Sequence, residues 1–416
     1  MRKTPIEIAQ MRILDVSPLA VYPPRRGSAV RTYSLLRHLS VRHEVRQFSL
    51  PGDDPFSLWP RLERTQVTPK YCELRFRHPV ASAANRLGER AWVSAPLLSG
   101  LALEITRPPL LTGLLRWADV LLVEFPWQFE YCRRRSTAPC VLASHNLEGL
   151  KFASWAEAAH ASLTIRPWLR FVERMERRAA RSASLVLAVS ATEREQYIER
   201  YGVDPDRVVE IPNGADTERY SPIEPEAKAA ARRRLGLPER TTVIYMASAV
   251  PPNRRGADWV RRLAAVADRF TFLAVGEGAQ VDDRPSNMVS TGFVDDLRPY
   301  LDAADIALCP IEHGAGTKIK LLEYMASGLP TVAFGSAVGG LLVRDGVHLL
   351  VAEPSVRGLL EATERLAADR ALALRIGGSA RALVVERYDW RRIARRLDDA
   401  LETAFQPAPY ENIEDR

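Results

Sequence analysis

Two series of short apolar segments, each alternating with stretches of helical periodicity, run along this chain of 416 residues. Apolar runs this short, bounded by turn residues, are typical of buried strands. The first series comprises Met11–Ser17, Val45–Leu50, Val120–Glu124, Val141–Ser144 and Leu185–Ser190. The second comprises Thr241–Ala247, Phe270–Val275, Met288–Ser290, Ile306–Pro310 and Thr331–Phe334. Because strands that alternate with helices build parallel sheets, we predict an α/β fold with two Rossmann-like domains facing a cleft.

The boundary between these domains is expected near Ile211–Pro222, a segment rich in Pro, Gly, Asn and Asp. We predict an N-terminal, acceptor-side domain over 11–205 and a nucleotide-sugar-binding domain over 206–387. A helix over 388–405 is expected to pack back toward the N-terminal domain, and the polar tail 406–416 to be poorly ordered.

Composition excludes several classes of protein. Apolar residues make up 46% and charged residues 26% of the chain, which is typical of a soluble globular protein. The longest apolar stretch, Ala95–Leu115, is interrupted by charges and prolines, so no transmembrane helix is predicted. Without an apolar signal core at the N-terminus, we expect a cytoplasmic protein. The four cysteines form no C-x-x-C pair and are expected to be buried, reduced thiols: Cys72, Cys132, Cys140 and Cys309.

The net charge of +7 is unevenly distributed, because basic residues outnumber acidic ones in 1–205 but not in 206–416. No nucleic-acid-binding motif accompanies this charge, so no nucleic acid partner is expected. A basic N-terminal half suits peripheral contact with the inner face of a membrane. Together with the apolar segment Val93–Leu115, it suggests a lipid-linked acceptor as one hypothesis.

A candidate phosphate site lies in the string G-A-G-T-K-I-K-L-L-E. Gly314 and Gly316 open backbone space before a helix whose N-terminal amides favour phosphate, with Thr317 in the same turn. Lys318 and Lys320 add positive charge. The carboxylate of Glu323, one turn into the helix, can accept hydrogen bonds from both ribose hydroxyls. A solvated amphipathic helix would explain the glycines alone, but the whole string is more specific.

The chain resembles the family 4 retaining glycosyltransferases of the GT-B fold, also called glycosyl transferases group 1. The resemblance extends from about Arg12 to Leu401, and four matches carry it. They are the A-x-G-x-P ending at Ala326, Gly328 and Pro330, the V-S at Val189–Ser190, the P-N-G-A-D at Pro212–Asp216 and the G-F-V at Gly292–Val294.

The resemblance implies roles for further residues. Arg255, before Gly256, takes the position of the cation that meets the donor diphosphate, while Arg254 contributes to donor binding or faces solvent. Gly27 corresponds to the glycine that lets the first-domain backbone approach the donor. His145, in H-N-x-x-E after a strand, corresponds to the sugar-contacting histidine. With Lys320, His145 and Arg255 form the expected catalytic set.

The backbone of Gly292, Phe293 and Val294 is expected to touch the nucleobase, which leaves the base open. Two departures from the family pattern stand out. Ala249 replaces a further arginine, for which Lys318 or Lys320 can compensate, and Ala315 replaces the first carboxylate of the E-x7-E pair. The second departure removes an expected contact to the donor sugar.

Two other segments are expected to be mainly structural. Asn213 and Gly214 are predicted to form a left-handed turn that Asp216 caps. Aromatic side chains after another first-domain strand can stack on sugars, although core packing is the more frequent role: Phe125, Trp127 and Phe129, beside Glu124.

The expected function is retaining transfer of a hexose-type unit from a nucleotide-diphosphate sugar to a glycan, lipid-linked or other hydroxyl acceptor. Cell-surface polysaccharide or glycoconjugate synthesis is the expected setting. No cofactor and no metal are expected, since no Asp-x-Asp pair stands at a strand end. Two alternatives remain open: a GT-B-fold sugar-nucleotide epimerase, and a catalytically silent donor-binding partner of another transferase.

Overall fold

The computed structural model describes residues 10–52, 59–90, 95–158, 166–313 and 316–405. The chain divides into two compact units. Within the described ranges, the first unit contains the chain up to Gly149, Arg166–Ile211 and the residues from Ala394 onward; the second contains Pro212–Ile393 together with the segment that starts at Leu150. Gly314, Ala315 and the tail 406–416 lie outside the described residues.

The first unit contains an eight-stranded sheet. Its strands are β1 (Arg12–Ser17), β2 (Glu44–Ser49), β3 (Arg61–Thr68), β4 (Tyr71–Arg77), β5 (Val120–Glu124), β6 (Cys140–Ala143), β7 (Leu185–Ala188) and β8 (Val208–Glu210). The spatial order is β3-β4-β2-β1-β5-β6-β7-β8, and only the β3–β4 pair is antiparallel. All of β5 is buried, as expected for a central parallel strand covered on both faces.

Helices separate most of these strands along the chain. They are α1 (Gly27–Leu39), α2 (Pro79–Arg90), α3 (Ser99–Thr106), α4 (Pro109–Trp117), α5 (Phe129–Arg135), α6 (Glu148–Ala158), α7 (Arg166–Ser182) and α8 (Ala191–Tyr201). Helix α8 begins with a side-chain cap, because the Ser190 hydroxyl accepts a hydrogen bond from the Glu193 amide. It ends at Gly202, whose φ of 67° suits a glycine C-cap.

The second unit contains a six-stranded sheet in the order β11-β10-β9-β12-β13-β14, in which every pair is parallel. The strands are β9 (Thr242–Met246), β10 (Thr271–Val275), β11 (Met288–Ser290), β12 (Ile306–Cys309), β13 (Thr331–Phe334) and β14 (Leu350–Ala352). The helices are α9 (Pro225–Arg234), α10 (Pro251–Ala264), α11 (Arg298–Ala303), α12 (Ile319–Ala326), α13 (Val356–Ala368) and α14 (Arg370–Arg387). Helix α15 (Trp390–Phe405) begins in this unit, but its residues from Ala394 onward belong to the first.

Both sheets confirm the predicted α/β class, and every strand predicted from an apolar run is present. Four strands were not predicted: β3, β4, β8 and β14. Because β8 pairs with β7, the first unit continues to Ile211, where the segment expected to contain the boundary begins, rather than ending at residue 205. The predicted helix over 388–405 corresponds to α15.

Within the first unit, His43 links α15 to Met11, the residue before β1. The Met11 amide donates to His43 Nδ1 at 3.0 Å, and His43 Nε2 lies 2.6 Å from Asp398 Oδ1. Because Nδ1 accepts, Nε2 carries the proton and donates to the carboxylate. Arg42 adds a second contact to Asp398 at 3.1 Å.

All four cysteines are buried and unpaired, as predicted. In the part of the chain that the structure describes, no helix combines the length and apolarity needed to cross a membrane. Several residues of the apolar segment that suggested membrane contact belong to the core, including Leu103, Leu111 and Leu114, while Leu101 and Ile105 are exposed.

Candidate functional site

The site in the second unit lies at the carboxyl ends of β9 and β12. Strand β9 is central: the chain continues from it to β10 and β11 on one side, and β12 lies on the other. The strand order therefore reverses between β9 and β12, and ligands of open α/β sheets bind at such a point. Helix α10 follows β9 and α12 follows β12, so both helices begin at this edge.

The Lys320 side chain links α12, which follows β12, to the segment between β9 and α10. Its Nζ donates to the Met246 carbonyl at 2.5 Å and to Asn253 Oδ1 at 2.8 Å, and it lies 4.8 Å from the centre of the Tyr245 ring. Met246 ends β9, and Asn253 lies in the first turn of α10. An ammonium from α12 is thus held at the loop that contains Ala249, where the family pattern has an arginine.

Burial shifts the pKa of Lys320 and that of Glu323, both on α12, toward neutrality. It lowers the pKa of Lys320 to about 8, with nearby Lys318 acting in the same direction. It raises the pKa of the Glu323 carboxyl to about 7, although Arg219 and Lys320 oppose the shift. Each shift reflects the cost of placing charge in a poorly solvated position.

The Glu323 side chain is 8% exposed. Among the described residues, no donor forms a hydrogen bond to its carboxylate. A buried carboxylate normally has such donors, so a ligand that supplies two hydroxyl groups would satisfy this one. The position one turn into α12 is the one predicted for ribose binding.

The turn before α12 is held by Asn213, a residue predicted to be mainly structural. Asn213 Nδ2 donates to the buried Thr317 hydroxyl at 2.8 Å. Gly316 has φ +71°, a conformation that favours glycine, and its carbonyl accepts from Lys318 Nζ at 2.9 Å. Lys318 thus makes a local contact, whereas Lys320 reaches another strand. Gly314, the other predicted glycine, lies outside the described residues.

The expected left-handed turn at Asn213–Gly214 is wrong, because neither residue has a positive φ. Gly214 is instead required for close packing: a Cβ atom there would lie 2.6 Å from the Tyr388 carbonyl oxygen. Asp216 does cap the following segment, since its Oδ1 accepts from the Arg219 amide at 3.0 Å.

Arg254 and Arg255 are exposed in the first turn of α10. This turn contains no acidic residue. Cations are unfavourable beside the positive end of a helix dipole, whereas an anion there is stabilised. Pro251 and Pro252 have no N–H, and the Asn253 and Arg254 amides donate to the Val250 carbonyl, so an anion would contact the arginine side chains rather than free amides. Gly256 allows α10 to pack closely, because a Cβ atom at this position would lie 2.2 Å from the Tyr245 hydroxyl.

The backbone after β10 and β11 completes this edge. Gly292 has φ +68°, and its carbonyl accepts from the Gly276 amide at 2.8 Å. Gly278 lies against the loop after β9, where a Cβ atom would be 2.1 Å from the Ser248 carbonyl oxygen. Phe293 is 44% exposed, whereas Val294 packs partly against the core.

In the first unit, the strand order reverses between β1 and β5. Gly27 is the exposed first residue of α1, the helix after β1. His145 follows the carboxyl end of β6 as predicted, but it is buried rather than open. Its Nε2 forms a short hydrogen bond with Glu124 Oε2 at the end of β5.

A network of buried charges surrounds this pair. Burial opposes ionisation of Glu124, but His145, Asp15 and Arg31 more than offset that effect and lower the pKa of the Glu124 carboxyl. Burial and the adjacent Glu124 charge raise the pKa of Asp15 well above its usual value. Both shifts favour a negative charge on Glu124 and an uncharged Asp15, and an uncharged Asp15 would be a hydrogen-bond donor to Glu124. Burial lowers the pKa of Arg31 to about 10, within the range that leaves it charged at neutral pH.

The aromatic residues after β5 have the core role that was favoured from the sequence. Phe125, Trp127 and Phe129 are 7%, 5% and 0% exposed. Phe125 also stacks on the His145 ring, with a centroid distance of 4.3 Å and an interplanar angle of 15°.

Sequence reasoning did not identify several residues that shape these edges: Asp15, Arg31, Tyr245, Asn253, Gly276 and Gly278. The repeated glycines of V-G-E-G after β10 offered a signal for the last two. In the described part of the chain, no group of three or more His, Cys, Asp or Glu side chains could hold a metal ion. The absence of a metal requirement stays a prediction.

Comparisons with known proteins agree with this architecture. Residues 25–219 match the model of Glycosyltransferase Family 4, and residues 240–369 match that of Glycosyl transferases group 1. The alpha-maltose-1-phosphate synthase of Mycolicibacterium smegmatis is 30% identical over 290 residues, covering 62% of this chain and 71% of that protein. The chain belongs to the group 1, family 4 glycosyltransferases.

Other matches set the range of this similarity. A D-inositol 3-phosphate glycosyltransferase from Salinispora arenicola is 31% identical over 243 residues, 52% of each protein, so the match spans about half the length of that relative. The structure of a sucrose-phosphate synthase from Thermosynechococcus elongatus aligns with a TM-score of 0.74 and 19% identity, covering 95% of this chain and 99% of that one. This likeness supports the GT-B fold class.

Proposed function

We propose that this protein is a retaining glycosyltransferase that moves a hexose-type unit from a nucleotide-diphosphate sugar to a hydroxyl acceptor. The observation that carries the proposal is the edge formed by β9 and β12. Helices α10 and α12 begin there, and the Lys320 ammonium links them. The Glu323 carboxylate receives no hydrogen bond from the described residues. Family membership supports the same reaction class.

In this proposal, the diphosphate binds at the first turns of α10 and α12. The amides at the start of α12 and the side chains of Arg254, Arg255 and Lys318 provide donors and positive charge. When the donor binds, Lys320 Nζ would replace its hydrogen bonds to the Met246 carbonyl and to Asn253 Oδ1 with one to a phosphate oxygen. This exchange would require little movement of the side chain. Charge placed in advance at this position stabilises the leaving diphosphate as the glycosidic bond breaks.

Glu323 would accept hydrogen bonds from the ribose hydroxyls, and the backbone at Gly292, Phe293 and Val294 would meet the base. His145 would contact the transferred sugar. The acceptor hydroxyl attacks on the face from which the diphosphate leaves, as the family resemblance implies. In that case no covalent enzyme nucleophile is required.

The acceptor is proposed to be a glycan, a lipid-linked sugar or another hydroxyl compound in the synthesis of a surface glycoconjugate. Contact with a membrane stays a prediction, which rests on the basic N-terminal half, and a cytoplasmic location stays a prediction as well. Cosedimentation with anionic vesicles at low and high salt tests the first; equal recovery in the supernatant with and without vesicles would contradict it.

A thermal-shift panel of nucleotide sugars tests the proposal directly. A ligand present at a hundred times its dissociation constant stabilises the folded state by about 2.7 kcal/mol. We expect one base and one sugar to raise the melting temperature most. The selected donor is then incubated with candidate acceptors, and the anomeric configuration of the product is read by NMR.

Retention of configuration in a transferred product supports the proposal. Release of free nucleotide with an epimerised sugar, without any acceptor, would favour an epimerase. Donor binding without turnover on any acceptor extract would favour a silent partner, and absence of a shift with every donor would contradict a donor site at Lys320 and Glu323.

A further inference from the structure

The carboxyl edge of the first unit contains a histidine whose ring is fixed on two sides. Glu124 bonds Nε2 of His145, and the Phe125 ring covers one face of the imidazole at 4.3 Å. Glu124, the last residue of β5, thus restrains rotation of the ring in its plane, and Phe125, the next residue, restrains its tilt. Within the described residues, no hydrogen bond engages the remaining nitrogen, Nδ1.

Phe125 adopts a conformation that L-residues rarely take, with φ +68°. A bulky residue in the left-handed region is strained and persists only where its surroundings fix it. Here the turn directs the Glu124 carboxylate and the Phe125 ring toward the same imidazole. The strain therefore coincides with the placement of His145.

The charge state of Glu124 selects the histidine tautomer. Glu124 is ionised, because its pKa is lowered despite burial, and an ionised carboxylate only accepts hydrogen bonds. Nε2 of His145 must then carry a proton. In a neutral ring Nδ1 keeps its lone pair and can accept a hydrogen bond from a hydroxyl group.

Asp15 acts behind this pair. Its Oδ1 accepts from Gln47 Nε2 at 2.8 Å, and burial together with the neighbouring Glu124 charge raises the pKa of its carboxyl well above the usual value. A proton on Asp15 would make it a hydrogen-bond donor to Glu124, in addition to His145. Such a donor would keep the Glu124 carboxylate in place when His145 engages a ligand.

We propose that Glu124 and Phe125 are positioning residues that hold His145 in the Nε2-protonated form, so that Nδ1 accepts a hydrogen bond from a hydroxyl of a sugar substrate. The inference rests on the proposed function for the identity of the ligand. It assigns His145 to a hydroxyl rather than to phosphate, because a neutral Nδ1 lone pair would repel a phosphate oxygen.

Nitrogen NMR of protein labelled with ¹⁵N-histidine tests the tautomer without requiring activity. The chain contains seven histidines, so the spectrum of His145→Ala identifies the His145 signals by their loss. We expect the wild-type neutral ring to show a protonated Nε2 and an unprotonated Nδ1. A protonated Nδ1 and a bare Nε2 would overturn the inference.

Glu124→Gln removes the charge but keeps the shape. A glutamine can accept from Nε2 or donate to it, so we expect a mixture of tautomers. Turnover should fall on the order of 10–100-fold, the range for loss of a group that orients another residue, with kcat affected more than the donor KM. Phe125→Leu, which keeps the burial and removes the stacking, should lower kcat without changing the tautomer.

Glu176→Gln is the matched control. Glu176 is an equally buried carboxyl of the same unit that accepts from the Glu148 and Gly149 amides and does not contact His145. Its loss should lower the melting temperature and leave the His145 signals unchanged. An equal change of the His145 signals in both variants would show a general structural effect and contradict the inference.

A double-mutant cycle separates positioning from direct action. If Glu124 acts only through His145, Glu124→Gln should cause no further loss of turnover in His145→Ala. An undiminished loss in that background would overturn the inference. Wild-type turnover of His145→Ala would also overturn it, while nucleotide-sugar binding at Lys320 and Glu323 would leave the proposed function standing.

Discussion

In both sheets the strand order reverses at a central strand, but the charged side chains at the carboxyl ends of the strands are paired differently. In the first unit, Glu124 is matched by His145, Asp15 and Arg31, all from the chain itself. In the second unit, Arg254 and Arg255 are exposed at a helix N-terminus, and Glu323 receives no hydrogen bond from the described residues. The first edge is already satisfied, so it is suited to holding a side chain in place. The second is the edge at which we propose that a nucleotide diphosphate binds, since such a ligand would supply an anion to the helix N-termini and hydroxyl donors to Glu323.

The largest expected effect comes from Lys320→Met, which keeps the apolar stem over Tyr245 and removes the charge. Turnover should fall on the order of 100–1,000-fold, as for loss of one group that stabilises developing negative charge. Steady-state kinetics with the selected donor measures this effect.

Lys228→Met provides the control for that variant. Lys228 Nζ also donates to a backbone carbonyl, that of Ala304 at 2.7 Å. Ala304 precedes β12, so this contact lies at the amino ends of the strands and not at their carboxyl ends. Its turnover should stay close to that of the wild type. An equal loss in both variants would indicate damage to the fold and remove the distinction between the two ends of the sheet.

The pH dependence of donor binding should reveal the two shifted groups of α12. Glu323 accepts ribose hydroxyls best as a carboxylate, so affinity should rise as pH increases through about 7. Lys320 binds phosphate as an ammonium, so affinity should fall as pH increases through about 8. The profile should therefore be bell-shaped and narrow.

Variants assign the two limbs of that profile. Glu323→Gln should remove the acid limb, and Lys320→Arg should move the alkaline limb to higher pH, because a guanidinium stays charged. A profile that neither variant changes would show that other groups control donor binding. The first unit should contribute little to either limb.

Sequence patterns predicted the strands with continuous apolar runs, because such strands are covered on both faces. They did not predict β3, whose Arg61 and Leu62 are exposed at the sheet edge, or β4, in which the buried Glu73 accepts hydrogen bonds from the Val21 and Tyr22 amides. Glu73 interrupts the apolar pattern of β4. Its hydrogen-bond donors are distant in sequence, so the local pattern does not show that a charge can be buried there.

The same reasoning applies to the sites. Lys320, Glu323 and the glycines before α12 are close in sequence, so a local pattern indicated their roles. The Glu124–His145 pair and the Asn253 contact to Lys320 join different strands and helices. Such contacts depend on strand order, which no local pattern contains. Asn213 was expected in a turn, but its amide supports Thr317 instead.

The smallest expected effect is that of Asp15→Asn. Because burial and the Glu124 charge raise the pKa of Asp15 well above its usual value, we expect an uncharged asparagine, which can accept from Gln47 and donate to Glu124, to replace it with little change. The melting temperature and the His145 NMR signals should change little, whereas Asp15→Ala should lower the melting temperature. A large loss of stability in Asp15→Asn would mean that Asp15 is ionised and that the first edge is not balanced as described.

Calorimetric titration with nucleoside diphosphates and their 2′,3′-dideoxy analogues tests the claim that the second edge is a donor site most directly. The wild type should bind the ribose form more tightly, and Glu323→Gln should lose most of that preference, since hydrogen bonds to a charged group contribute about 1.5–3 kcal/mol. An equal preference for ribose in both proteins, or no binding of any nucleoside diphosphate, would contradict the account.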